Sequence, residues 1–346
     1  MEQLLETIIK DTAAQSRLEA VTGRARTGLE FLESYSRAPA SHYRRAVLPV
    51  VSSALETNNT RLASQVLPVL HKLGTDNRFH SLQGEEEEEE EERSWLTQQV
   101  VSCLSPLPRL SADLQTDYLQ AVLTLTCHPS WLVTGQICLQ FVSLCQEVLT
   151  TTSSPAARTA AHNVAANTLA CLGRWLCRTD TERAVEDIIP VLQYLCSRAE
   201  ETFISPTQPP QGSGLSKKSK AERELLLSCL DTTIRSLNKK VTASTNFCTF
   251  IWRSLCPAVI KILVRGQGQA LVCSLTGLIG HLESHRPVLE ATHHKMLVQT
   301  PPDKRLEAVR AVSRLVGETT GLLDLTWLEA AVEDRPGAND MALVIM

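Results

Sequence analysis

The residue types in this chain that could do chemistry are histidines, paired acids and cysteines, and their spacing decides what each could do. His281 and His285 stand at i, i+4 with Glu283 between them, the separation at which two imidazoles on one helical face can hold zinc. The His-Glu-x-x-His order is absent and no third ligand stands out, so a solvated polar face is expected there. His293 and His294 are adjacent, and helical neighbours point about 100° apart, which does not suit joint chelation. Asp113 and Asp117 lie near a predicted helix start, where acids complement the macrodipole. Gly266-Gln267-Gly268 reads as an interhelical turn with a glycine C-cap. There is no G-x-x-x-x-G-K-[ST], no G-x-G-x-x-G after a strand and no G-x-S-x-G. No catalytic residue, cofactor, metal or small-molecule substrate is expected.

Eleven cysteines are present, none in a C-x-x-C pair, and most fall inside apolar helical runs such as ICLQFVSLC and ANTLACLGRWLC. Free cysteine packs as a small hydrophobe, so reduced and buried thiols are expected. A cysteine nucleophile would need a partner histidine, and the sequence does not place one beside any cysteine. The odd count fits a cytosolic compartment, and the N-terminus, MEQLLETIIKDTAAQ, is acidic and amphipathic, unlike a secretory leader.

The elements that carry these residues are helical. Apolar content is 43% and aromatic content 4%, which is ample for a core and poor for a large sheet. The segment Val47 to Leu73, VLPVVSSALETNNTRLASQVLPVLHKL, reads as two amphipathic helices. Val47, Leu48, Val51 and Leu55 share one face, and Thr57-Asn58-Asn59-Thr60 supplies a stop and then an N-cap. Leu62, Val66, Val69, Leu70 and Leu73 form the second stripe, opposite Arg61, Gln65 and Lys72. Such helices hide their stripes only by stacking on further pairs, so the predicted fold is all-α, an α-solenoid of irregular HEAT/armadillo-like helix pairs. Pro49, Pro68, Pro190 and Pro257 recur at helix starts or within helices, with Pro68 expected to bend its helix.

The net charge of −4 hides an unbroken acidic run, Glu85 to Glu92, without which the chain is mildly basic. A solvated loop over 75–93 is expected there. The basic clusters Arg44-Arg45, Lys217-Lys218 with Lys220, and Lys239-Lys240 form no stripe and lack interleaved aromatics, which argues against nucleic acid. No run reaches the roughly 18 uninterrupted apolar residues of a membrane span, so any membrane contact would be peripheral. Helices are predicted at 2–21, 24–36, 94–104, 111–127, 131–151, 155–177, 181–202, 221–241, 246–265, 268–284, 286–298, 302–317 and 321–333, besides the pair in 47–73. This gives a helical domain over 1–204, a Pro/Gly/Ser/Lys linker at 205–220, a second helical region over 221–334 and a tail at 335–346.

The 47–73 block resembles the signature helix pair of the N-terminal domain of the large Arf guanine-nucleotide exchange factors, a domain named for dimerisation and cyclophilin binding. RLSADLQTDYLQAVLTLTCHPS (109–130), NFCTFIWRSLCPAVIKIL (246–263) and PPDKRLEAVRAVSRLVG (301–317) resemble later blocks of the same proteins in the same order. The resemblance spans roughly residues 1 to 330, and residues 221–334 resemble the upstream homology region. It implies a non-catalytic regulatory module that self-associates as a homodimer, docks on partners and meets a small GTPase of the Arf/Arl class at Golgi or secretory membranes. The family's Asn-aromatic-Asp-Cys box is missing or degenerate, since residues 324–329 read DLTWLE, and the downstream exchange domain is not contained in this sequence. The expected partner surface is Arg44, Arg45, Arg61, Gln65 and Lys72. The competing expectation is an unrelated HEAT-like cytosolic adaptor that shares only solenoid packing.

Overall fold

The structure is a computed structural model that describes residues 1–35, 38–76, 79, 86–127, 131–204, 217–264, 267–280, 282, 285–299 and 310. Among the described residues the chain is all-α, with no strand. It divides into two compact units, Met1–Trp175 and Leu176–Met346.

The first unit is built from α1 (Glu2–Thr12), α2 (Glu19–Ser34), α3 (Ala40–Glu56), α4 (Thr60–Thr75), α5 (Glu86–Cys103), α6 (Ala112–Thr126), α7 (Gly135–Thr151) and most of α8 (Pro155–Arg178). Successive helices pack on one another from α1 to α4, α4 turns back onto α1 and also meets α6, and α5 bridges α3 and α7. Both predicted stripes of the 47–73 block are buried, from Val47 to Leu55 on α3 and from Leu62 to Leu73 on α4. Each such side chain contributes about 1.5–3 kcal/mol of burial. The turn between them is the one the sequence demands. Asn58 takes a left-handed conformation, and the Asn59 side chain accepts from the Arg61 and Leu62 backbone N–H groups at 3.0 and 3.3 Å. Tyr118 of α6 donates its hydroxyl to the Ala63 carbonyl at 2.7 Å, tying α6 to α4 inside the core.

The predicted helices 2–21 and 24–36 are divided differently. α1 ends at Thr12, a short 3₁₀ turn covers Ser16–Leu18, and α2 runs straight through Gly23. The Thr22 hydroxyl donates to the Thr12 hydroxyl at 2.8 Å across the corner, and Thr12 donates to Ile8 O. Packing of α2 on α1 decides this break. At Gly28 a Cβ would lie 3.0 Å from the Ala46 carbonyl oxygen, so α2 and α3 approach closely there.

The acidic loop expected over 75–93 is shorter than predicted. α5 begins at Glu86, so most of the glutamate run is helical. Glutamate is a good helix former, acids are favoured in a first turn, and Glu92 finds two arginines on α3. Glu85 lies outside the described residues.

The second unit holds α9 (Thr181–Ile204), α10 (Lys217–Ser236), α11 (Lys239–Thr242), α12 (Thr245–Phe250), α13 (Cys256–Val264), α14 (Gln269–Ile279) and α15 (Arg286–Gln299). α9 packs on α10 and α13, α10 on α14, and α15 on both α13 and α14. The predicted helix 221–241 is split at Asn238, whose side chain caps α11 by accepting from Lys240 N and Val241 N. α12 and α13 are joined by a π-turn at Ile251–Leu255 just before Pro257. Proline has no N–H to give the preceding turn, and a wider turn is one way a helix absorbs that loss. Pro49, Pro68 and Pro190 all lie inside helices. Thr245–Leu263 is long and apolar enough to cross a membrane by length and composition. Half of it is buried within its unit, as in the core helix of a globular fold. Gly268, expected as part of a C-cap, instead precedes α14 as its N-cap at φ +83°. The 205–216 part of the linker, the predicted helix 302–317 apart from Arg310, the predicted helix 321–333 and the tail 335–346 lie outside the described residues.

Candidate partner-binding surface

The five predicted surface residues fall into three environments. Arg44 is buried, 3% exposed, and corrects the expectation of an open basic patch. Its Nε donates to the Phe79 carbonyl oxygen at 2.5 Å, and its Nη1 lies 3.8 Å from Glu92 Oε1. Burial pushes its pKa down, while Glu92 opposes that shift. Arg45, one residue on, points outward: its side chain is 54% exposed, bonds Glu92 Oε2 at 3.0 Å and lies 4.4 Å above the Trp95 ring. The pair Arg44-Arg45 thus grips the start of the α5 core segment from two sides.

Arg61, Gln65 and Lys72 line one edge of α4, and that edge faces α1. Arg61 Nη2 lies 3.1 Å from Asp11 Oδ2, and Gln65 donates to the same carboxylate oxygen. Lys72 sits beside the Met1 amine, whose pKa is lowered chiefly by burial and then by that neighbour. Arg61 keeps 78% of its side chain in water, so its ion pair contributes at most about 1 kcal/mol. Helix periodicity found the polar edge, but Asp11, Glu92 and Trp95, its actual partners, lie on other helices and carry no local signal. Two exposed aromatics were also missed, Tyr35 at the end of α2 and Trp252 on the π-turn.

The residues considered for catalysis stand apart from this surface. Of the cysteines, Cys103, Cys138, Cys145, Cys171, Cys196, Cys229 and Cys256 are buried, and all eleven are thiols, none in a disulfide. Burial pushes the Cys103 thiol up to about 11 and those of Cys196, Cys229 and Cys256 to about 12, far from thiolate at neutral pH. His281 and Glu283 lie outside the described residues, and His285 is buried. His293 is buried with its Nε2 3.0 Å from Thr276 Oγ1, whereas His294 is exposed. Among the described residues no three His, Cys, Asp or Glu side chains group as metal ligands.

Burial alone holds the His293 pKa down at about 4, against about 6.5 in an unfolded chain. Between those values the unfolded state binds the proton and the native state does not, so stability is retained above pH 6.5 and lost as pH falls toward 4. The expected loss at pH 5 is about 2 kcal/mol relative to pH 7. Denaturant titrations of the second unit's tryptophan signal at the two pH values check this. A His293→Gln chain whose midpoint drops just as far between them would remove His293 as the cause.

A sequence model described as "Mon2/Sec7/BIG1-like, dimerisation and cyclophilin-binding domain" matches residues 1–172. Residues 1–172 belong to that family. The match ends three residues short of Trp175, where the first compact unit ends, so family domain and structural unit coincide. The α3–α4 pair, the α5 clasp and α6 all lie within it. Two relatives align over nearly the whole chain. Brefeldin A-inhibited guanine nucleotide-exchange protein 3 of Homo sapiens is 22% identical over 398 alignment positions, covering 94% of this chain and 17% of the relative. The protein of the same name from Mus musculus is 22% identical over 409 positions, covering 97% and 18%. The chain therefore spans less than a fifth of the length of these relatives. The dimerisation and cyclophilin-binding domain is a non-catalytic region of the Arf exchange factors. Its identification displaces the unrelated-adaptor expectation for residues 1–172.

Proposed function

We propose that this chain is a non-catalytic regulatory scaffold of the Arf-exchange-factor type, which self-associates through its first unit and binds partners in Golgi and secretory-vesicle trafficking. The observation that carries this reading is the coincidence of the family's dimerisation and cyclophilin-binding domain, residues 1–172, with a compact unit of its own, Met1–Trp175. A small GTPase of the Arf/Arl class is the further partner, met in the cytoplasm or at the membrane surface. Arg45 and Arg61 are the exposed arginines of the 44–72 region, and they are the candidates for a contact with it. Gln65 and Lys72 contribute from the α1–α4 seam. The HEAT/armadillo-like description of the helix stack belongs to the same proposal, as does a division after residue 204, with α10 beginning at Lys217, inside the predicted linker.

Light scattering coupled to size exclusion, run on the full chain at several concentrations, tests the reading. A mass rising toward twice 38.1 kDa supports self-association. A mass fixed at 38.1 kDa across a hundredfold range of loading would sink it. Binding of Arf/Arl GTPases, loaded with either nucleotide and titrated against parent and Arg45→Ala/Arg61→Ala chains, tests the second partner. Equal affinity for both chains would remove these arginines from the contact.

A further inference from the structure

Within the first unit, the end of α6 meets the C-terminal half of α8 at two cysteines. Cys127 is the residue that caps α6, and it is exposed. Cys171 lies on α8 and is buried, with its Sγ 3.6 Å from the carbonyl oxygen of Thr126, the residue before Cys127. One peptide unit separates that oxygen from the Cys127 Cα, so the Cys171 sulfur lies within roughly 6 Å of it. One helical turn further along α8, Arg174 Nη2 approaches Cys171 Sγ to 2.9 Å. Elsewhere these features are separate. Cys196 and Cys256 are close enough to interact, but both are buried. Cys177 is exposed and takes Asn238 Nδ2 at 3.7 Å.

From this arrangement we propose that Cys127 and Cys171 form an oxidisable dithiol site, converted by peroxide into a reversible disulfide that staples α6 to α8. The Cys127 thiolate attacks one peroxide oxygen, the O–O bond breaks, and the departing hydroxide leaves as water, giving a sulfenic acid. The Cys171 thiolate then attacks the sulfenic sulfur. The S–O bond breaks, hydroxide departs, and with the proton from Cys171 it becomes water. In balance, two thiols lose two electrons and two protons, and one peroxide becomes two waters. A small dithiol reverses the bond by exchange. The exposed cysteine receives the oxidant, the buried one resolves it, and Arg174 supports the resolving thiolate. Cys127 lies past the last helical residue of α6 with its backbone N–H on the Leu125 carbonyl, so closing the remaining gap adjusts the helix cap and leaves the body of α6 in place. Burial raises the Cys171 pKa and Arg174 opposes that, so resolution speeds up as pH rises above neutral.

The test oxidises the full chain with a small excess of hydrogen peroxide, blocks residual thiols, and digests it unreduced with chymotrypsin. Cleavage after Trp131 separates Cys127 from Cys138. The expected product is a Cys127–Cys171 linked peptide that disappears on treatment with dithiothreitol. Cys127→Ser, a change at an exposed position, should leave the melting of the reduced chain unaltered and abolish the link. Arg174→Gln should slow linkage, because losing the cation lowers the Cys171 thiolate fraction by more than the greater basicity of that thiolate returns. A dimedone adduct at Cys127 with Cys171 still unlinked, or a Cys127–Cys177 link in its place, would overturn the proposal.

Discussion

Leu70→Asp is expected to abolish cooperative folding of the first unit, or to lower its stability by more than about 4 kcal/mol. Leu70 is fully buried on the α4 stripe between Val69 and Leu73. Two costs add at this one position. The lost burial of a leucine side chain is about 2–3 kcal/mol. The introduced carboxylate must either stay ionised without a partner or take up a proton to become neutral, which costs several kcal/mol more. A typical domain has only about 5–15 kcal/mol to lose. Ser64→Asp, on the exposed side of the same helix, is the matched control and should change stability by no more than about 0.5 kcal/mol. Thermal melts followed by circular dichroism compare the two. If both variants melted with the parent, the stripe would not face the core.

That stripe was fully legible because its information is local. Apolar spacing placed Val47 to Leu55 and Leu62 to Leu73 inward, and Asn59 announced the second helix by its chemistry. The misread places share another property. The break after Thr12 contains no glycine or proline, and it is decided by α2 packing back on α1. The onset of α5 at Glu86 contradicted the rule that like charges stay in loops, because two arginines from α3 reach Glu92. The π-turn at Ile251–Leu255 has an apolar pattern that ordinary helical periodicity also fits. The surface was only half legible. A wheel of α4 tells that Arg61, Gln65 and Lys72 share an edge, but not that Asp11 and Met1 sit against it.

Arg44 exposes the limit most sharply, since a charged residue in an R-R pair reads as solvated and is not. Arg44→Met keeps most of the side-chain volume and removes the charge, and the expected cost is about 3–4 kcal/mol. A guanidinium remains protonated at neutral pH, so the buried cation must be compensated in place. The Phe79 carbonyl and the Glu92 carboxylate do this from two different segments. Removing the cation leaves the Phe79 carbonyl without its donor, beneath a ring that is itself fully buried against Tyr43. It also leaves Glu92, 18% exposed, with only the solvated Arg45. Glu92→Gln should cost less, about 1 kcal/mol, because the amide oxygen can still accept from Arg45 and only the 3.8 Å charge contact with Arg44 is lost. Combining the two changes should cost less than their sum by about 1 kcal/mol or more, since they share one interaction. Urea titrations of the four chains give the cycle. Strict additivity would mean that Arg44 acts through Phe79 alone and that the acidic helix is held to α3 by Arg45, whose surface pair weakens with salt. Coupling that persists in high salt would instead put the anchor of α5 in the buried guanidinium, and with it the geometry with which α5 packs on α3.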